Sequence, residues 1–331
     1  MAKQRPLGKC KLCGLVKDLC DSHYLPKRLY AFANAKELSN RNPVMSINGV
    51  LKQICDQYRG YVFCKQCETV LNRNGENWVL KRIPRDYDGP FPLRDKLRPL
   101  TPTFIGDGLH VYNVLGVREF NIEKLVFFGM SIFWRGAVHR WKSTAGQEAP
   151  EVDLQAYEGP MREFVLGKGP FPMDVVLTVD IWPYKKVLQA FYPALAAHSP
   201  EYQKYWFYVP GLLFALYAGA NIPRELRALN AAGGIVMLDV KTADSVLNYT
   251  TEGIKSQHMG PKMTDLLNEI AAIRSKASTN NDPEKFPVGH CAVHTNSAEP
   301  AEAGPYLRQR LVGFAANVDG EIRFFRDGVG R

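Results

Sequence analysis

The sequence predicts an α+β protein in two parts, an N-terminal zinc-bound module followed by a mixed α+β domain. Three observations carry this. Two C-x-x-C pairs, Cys10/Cys13 and Cys64/Cys67, lie in the first 70 residues. One segment, Asn121 to Trp141, repeats its apolar residues with helical period. Beyond it, short apolar runs flank turn signals such as Pro210-Gly211, as strands do. The resulting division is a cysteine-rich basic module at 1–81, a Pro/Gly-rich connector at 82–105 and the α+β domain at 106–331.

The module is argued from its cysteines. A two-residue spacing lets one turn of backbone present two thiolates to a tetrahedral ion, and two such pairs complete a four-sulfur zinc site. Gly14 follows the first pair, where a tight knuckle needs it. The pairs are separated by 50 residues, more than in a compact finger; the alternative is four buried cysteines without metal. Cys20 and Cys55 lie between the pairs without a partner at ligand spacing and read as core or spare thiols. The chain holds seven cysteines. That odd number, and a start (MAKQRPLGKC) with no apolar stretch, lead to the expectation of a reducing, cytoplasmic setting.

Charge separates the two parts. Residues 1–100 hold 19 Lys and Arg against 9 Asp and Glu, while the rest of the chain holds 23 against 24. A basic zinc module suits a polyanion, since each neutralised phosphate releases counterions; the plainer alternative is a solvated basic surface. The longest apolar run, Tyr205 to Ile222, is broken by Pro210-Gly211, so no membrane span is expected.

The connector keeps Tyr87, Phe91 and Phe104, which predicts packed irregular chain. In the helix at 121–141, Ile122, Leu125, Val126, Gly129, Ile132, Phe133 and Gly136 form one stripe. Phe127, Phe128 and Trp134 lie off it, so several sides are expected to be buried. Arg135 and His139, four apart, either point together into a site or are satisfied locally. Val175–Ile181 reads as a strand, Trp182–His198 as a helix, Tyr205–Val209 and Leu212–Tyr217 as a hairpin, Gly234–Val240 as a strand, Lys262–Lys276 as a helix and Ala277–Pro287 as a loop. His290, Cys291 and His294 offer imidazole and thiol donors without a fourth ligand at suitable spacing. The domain at 106–331 can form a homo-oligomer or dock a larger complex, but its pattern names no role.

Inside the zinc frame the chemistry-bearing residues are Asp21 and His23, two apart and on one face of an extended strand. Glu68 and Asn72, four apart, share a face of a helix beginning after Cys67, with Glu76 further round. A strand laid against that helix would gather one imidazole and several oxygens. That set suits Mg²⁺ or Mn²⁺ and metal-assisted phosphodiester cleavage, with the imidazole as base. The plainer readings are a structural histidine for His23 and a helix-start carboxylate for Glu68. Lys27, Arg28 and Arg73 are candidate phosphate contacts.

These residues carry a resemblance. The order C-x-x-C, then Asp21-Ser22-His23-Tyr24-Leu25-Pro26-Lys27, then Cys64 to Glu68, then Asn72-Arg-Asn-Gly75-Glu76-Asn-Trp78 resembles the HNH endonuclease superfamily. It is most similar to a bacterial branch with (E/D)-S-H-x-x-P-K and C-x-x-C-E motifs. The resemblance spans roughly residues 10–80. It implies a ββα-metal core in a treble-clef zinc frame, with structural Zn²⁺ and catalytic Mg²⁺ or Mn²⁺. It further implies nucleic acid, DNA before RNA, as substrate, and a part in defence or mobile-element biology. Carried onto this chain, it makes His23 the general base, Glu68 a metal ligand and Asn72 a further ligand or phosphate contact. Departures are Ser22 where a metal-ligating Asp or His is usual, with Asp21 as substitute; no Asn before Cys64, where Gln57 or Asp56 would serve; and Glu68 in place of the last His. A module that has lost catalysis and binds nucleic acid or a protein is the alternative.

Overall fold

A computed structural model describes residues 5–33, 57–84, 90–106, 109–144, 146–182, 191–199, 201–224 and 226–227. It also describes the backbone of strands at 44–47, 50–53, 234–238, 315–316 and 322–323. Strands β1 (Leu7–Lys9), β2 (Val16–His23) and β5 (Arg59–Cys64) form an antiparallel sheet in the order β1-β2-β5. Between β2 and β5 lie the helix α1 (Lys27–Ala33) and a separate hairpin, β3 (Val44–Ile47) and β4 (Val50–Gln53). The helix α2 (Lys65–Leu71) starts directly at the end of β5 and runs through a π-type turn, Asn72–Glu76, into α3 (Asn77–Val79). At that turn Gly75 lets a second helix come close: a Cβ there would sit 3.0 Å from Phe127 Cδ1 and Phe128 Cα.

In the stretch expected to be an irregular connector, Tyr87 lies outside the described residues, and the described part differs from the expectation by holding a short packed helix. Phe91, Leu93 and Leu97 are buried, the last two on α4 (Pro92–Leu97), which opens on a proline whose missing N–H costs no helical bond.

The second, larger sheet has seven strands in the order β6-β7-β12-β8-β11-β10-β9. They are β6 (Phe104–Gly106), β7 (Leu109–Asn113), β8 (Val175–Ile181), β9 (Phe191–His198), β10 (Gln203–Val209), β11 (Leu212–Ala218) and β12 (Gly234–Leu238). β12 pairs parallel with β8, and every other neighbouring pair is antiparallel. The β10–β11 hairpin turns at Pro210-Gly211, where Gly211 takes φ +79° and leaves room for the Phe91 ring. All seven residues of β8 are buried, so both faces of the sheet are covered there. The final described pair is β13 (Ala315–Ala316) with β14 (Ile322–Arg323).

The expected helix at 182–198 is corrected over its described half: residues 191–198 are β9, an edge strand on β10. Its alanines read as helix formers, but pairing with β10 outweighs that weak local preference. Pro193 falls where the register with β10 shifts, so no ladder bond is forfeited. Residues 183–190, and the expected helix and loop between 262 and 287, lie outside the described residues.

The helix α5 (Ile122–Val138) joins the two sheets. Asn121 caps it, its side-chain oxygen accepting from Lys124 N at 2.9 Å. It is buried on several sides, as its off-stripe aromatics require. Phe128 meets Phe207 and Phe214 of the large sheet, and Gly129 lies against Leu177 and Phe214. Gly136 accommodates Tyr24 of the zinc module. One apolar core therefore runs from Cys10, Leu12 and Cys64 through α5 to Phe207 and Phe214. The helix α6 (Glu158–Leu166) closes its outer side and ends at Gly167, which takes φ +69°.

Candidate metal centre and its two flanking faces

The four cysteines converge. Cys10 and Cys13 sit on the knuckle between β1 and β2, which is closed by Gly14 N donating to Cys10 O (2.8 Å) and Cys10 N to Leu15 O (2.9 Å). Gly14 takes φ +77°, the left-handed conformation the knuckle demands. Lys11 N donates to Val62 O and ties the knuckle to β5. Cys64 ends β5 and Cys67 lies in the first turn of α2. The four Sγ atoms all lie within 4.8 Å of one another, and Cys13 Sγ to Cys64 Sγ is 3.9 Å. A tetrahedral zinc with Zn–S bonds of about 2.3 Å sets its sulfurs about 3.8 Å apart, so the spacing fits. The electrostatics fit as well. Contact with Cys67 pulls the Cys10 thiol down to about 4, while the same contact pushes Cys67 up. A cluster that already favours a thiolate is suited to a soft divalent cation. Among the described residues this is the one group of three or more His, Cys, Asp or Glu side chains placed to hold a metal ion. Cys20 stands apart, its thiol pushed up by burial, and Cys55 lies outside the described residues.

The strand β2 presents two faces. Asp21 is exposed, Ser22 is buried and His23 is half-buried, as alternation requires. Opposite them on β5, Tyr61 pairs with Asp21, Gly60 with Ser22 and Arg59 with His23. The outer face thus carries Asp21, His23, Arg59 and Tyr61. Arg59 Nη1 and Asp21 Oδ2 form an exposed ion pair at 3.1 Å. Burial pushes the His23 imidazole below its ordinary value; the Gln57 side chain and the Asp21 carboxylate act in the opposite sense, and Lys27 and Arg59 add to the lowering. The ring is therefore neutral near pH 7. Lys27 and Arg28 are exposed at the start of α1.

The inner face holds a different set. Ser22 Oγ accepts from Phe63 N at 3.3 Å and donates to Cys20 O. Glu68 has its carboxyl pushed up by burial, against the pull of Arg135 and the Ser22 hydroxyl, and its Oε1 is buried without a hydrogen-bond partner. Beside it Arg135, from α5, forms a buried ion pair with Glu76 and donates to Tyr24 O at 3.2 Å. Asn72 is exposed, its Nδ2 donating back to Glu68 O at 3.2 Å, and Arg73 is exposed one residue on.

The expected four-residue constellation is thus divided. Asp21 and His23 share the outer face, whereas Glu68 points inward toward Arg135 and Asn72 turns back onto its own helix. The dividing element is Ser22, whose buried side chain fixes which way its neighbours project. Arg135 and His139 also separate: the imidazole packs edge-on against Trp141 and lies against Gly60. The Glu76–Arg135 pairing was not readable from sequence, since the two lie 59 positions apart. His290, Cys291 and His294 lie outside the described residues.

Comparison of the chain with protein-family models, with curated proteins and with solved structures finds no match. Among the described residues no helix is long and apolar enough to cross a membrane.

Proposed function

We propose that residues 5–81 are a zinc-framed module of the HNH endonuclease type, in which His23 activates water against a nucleic-acid phosphodiester. The order of knuckle, antiparallel β2–β5 pair and helix, with a cysteine pair at each end, supports a treble-clef reading of the frame. The observation that carries the function is the environment of His23. A neutral imidazole stands beside the Gln57 side chain, on a strand anchored by the cysteine cluster, with Arg59 and Lys27 close enough to act on it electrostatically. A neutral imidazole can take a proton from water, an amide beside it fixes the ring, and the two cations draw in phosphate. Gln57 takes the place of the motif's middle Asn. Of the oxygen ligands expected for Mg²⁺ or Mn²⁺, Asp21 shares this face; Glu68 and Asn72 do not belong to the proposed chemistry. Mg²⁺ is often held by one or two carboxylates, with water and substrate phosphate completing the shell, and it would neutralise the scissile phosphate. DNA, before RNA, is the proposed substrate.

A second reading is a module that binds nucleic acid without cutting it. The Asp21–Arg59 ion pair favours it, because it occupies the one carboxylate on the His23 face among the described residues. Plasmid incubated with the protein and Mg²⁺ or Mn²⁺, beside His23→Ala and an EDTA control, separates the two. Nicking that the variant and the chelator abolish supports the first reading. Salt-dependent retention of DNA without nicking supports the second. A His23→Ala variant that cuts as well as the parent removes His23 from the chemistry.

A further inference from the structure

The knuckle that carries Cys10 and Cys13 is held from outside the zinc module. Arg162, on α6, donates from Nε to Leu12 O at 2.7 Å and to Lys11 O at 3.3 Å. The guanidinium also covers Gly14: a Cβ there would lie 3.3 Å from Nη2. Gly14 therefore supplies both the left-handed turn and the room for this cation. Arg162 is itself placed firmly. Its neighbour Met161 and, one turn on, Val165 are buried. At the start of α6, Glu158 Oε1 accepts from Trp134 Nε1 of α5 at 3.1 Å. Glu163 Oε1 accepts from Arg162 Nη1 at 3.2 Å and orients the guanidinium.

The two carbonyls it binds belong to the peptides that serve the metal centre. The Lys11 carbonyl shares a peptide with the Leu12 N–H, and the Leu12 carbonyl shares one with the Cys13 N–H. A trans peptide points these two groups in opposite directions. On the far side of both peptides, the Cys13 and Leu12 N–H groups hydrogen-bond the Cys10 sulfur. That sulfur also accepts from Cys64 N at 3.3 Å. Hydrogen bonds in series polarise one another, and a charged donor makes the stronger bond. A cation on each carbonyl thus makes the N–H behind it a better donor to sulfur. Such donors stabilise a thiolate, and a four-thiolate zinc site is net anionic, so a nearby cation acts in the same direction. Removing a partner that orients a metal ligand typically costs roughly 10–100-fold in metal affinity.

We propose that Arg162 is a positioning residue of the metal centre: from α6 it grips the Lys11 and Leu12 carbonyls and, through those two peptides, fixes and strengthens the N–H donors that serve the Cys10 thiolate. Zinc retention therefore depends on a residue far beyond the cysteine-rich module, and the larger part of the chain takes a share in holding the metal. The proposal rests on the cysteine cluster holding zinc and is independent of the phosphodiester chemistry.

The test uses the full zinc-loaded chain. Arg162→Met reaches as far as Nε but has no donor. Arg162→Gln places an amide nitrogen where Nε stands. Phe214→Leu loosens the core where α5 meets the large sheet, away from the knuckle, and controls for a general loss of stability. Zinc release is timed after adding an excess of a chromogenic chelator, and cobalt-substituted protein reports the sulfur-to-metal charge-transfer band. Arg162→Met should release zinc about tenfold faster than the parent and move the band to lower energy, whereas Arg162→Gln and Phe214→Leu stay within about twofold and keep the band. Circular dichroism shows that each variant is folded. The proposal is overturned if Arg162→Met releases zinc as slowly as the parent with an unmoved band, if Arg162→Gln behaves as Arg162→Met does, or if Phe214→Leu releases zinc as fast as Arg162→Met. A parent that binds neither zinc nor cobalt overturns the cluster reading together with the proposal, and the loss or presence of plasmid nicking bears on neither.

Discussion

Replacing Arg135 by methionine probes the joint between the zinc module and the rest of the protein. Arg135 and Glu76 have side chains only 2% and 8% exposed, so their pairing is almost wholly shielded from water. Methionine keeps most of the buried volume but removes the charge, leaving Glu76 without its cation and Tyr24 O without its donor. Breaking a buried pair from one side costs about 3–5 kcal/mol, because the surviving charge stays desolvated. Removing both charges, in Glu76→Leu/Arg135→Met, returns the site to an apolar core of similar volume and recovers most of the loss. The coupling energy between the two substitutions should therefore exceed about 2 kcal/mol. Glu68 loses the same cation in both variants, so its contribution cancels in the comparison. Urea unfolding of the zinc-loaded protein, followed by tryptophan fluorescence, measures Arg135→Met, Glu76→Leu and the double variant against the parent, the three differences that the coupling energy needs. A loss below about 1 kcal/mol in Arg135→Met, or a double variant no more stable than the single one, would refute the view that this ion pair is a desolvated structural link.

Other variants read other parts of the account. Gly75→Ala places a methyl 3.0 Å from Phe127 and Phe128 and should cost about 1–3 kcal/mol by overpacking the α5 crossing, measured as a lower thermal midpoint. His23 titrates below the ordinary imidazole value and the Gln57 side chain holds it partly up, so Gln57→Ala should lower it further in an NMR titration. Because the folded state prefers the neutral ring, its stabilising contribution is full above the unfolded value of about 6.5. It is lost as pH falls through the folded value, and Gln57→Ala moves that loss to lower pH. Burial on β8 pushes Asp180 up to about 7 in the fold, so its contribution is full below the unfolded value and is lost as pH rises through 7. Asp180→Asn escapes that loss, so its stability relative to the parent should be greater at pH 8.5 than at pH 5.5, by about 1 kcal/mol or more in urea unfolding.

Local patterns proved readable where local forces decide. The spacing of Cys10/Cys13 and Cys64/Cys67 anticipated a four-sulfur cluster because a knuckle and a helix start are local structures. The Pro210-Gly211 hairpin was legible for the same reason, since its turn residue alone needs a positive φ. The helix at 121–141 was legible in its core, but it stops at Val138 because His139 turns to extended backbone and packs on Trp141. The strand at 191–198 was hidden because its alanines say helix and the β10 edge that overrides them is a tertiary partner. The alternation of β2 that puts Asp21 and His23 on one face is a local matter, whereas the surroundings of Glu68 are set by Ser22 and by Arg135 from far along the chain. Asp180 gave a sequence signal that went unused: one acid inside the otherwise apolar run Val175–Ile181.

The account rests on the sulfur cluster, which holds β2, β5 and α2 in place and so sets both faces of the module. Metal analysis of the purified protein by inductively coupled plasma mass spectrometry, beside Cys67→Ser and Cys20→Ser, tests it most directly. The account predicts one zinc per chain in the parent and in Cys20→Ser, and loss of that zinc in Cys67→Ser. A parent without bound metal, or zinc retained at full stoichiometry in Cys67→Ser, would contradict it.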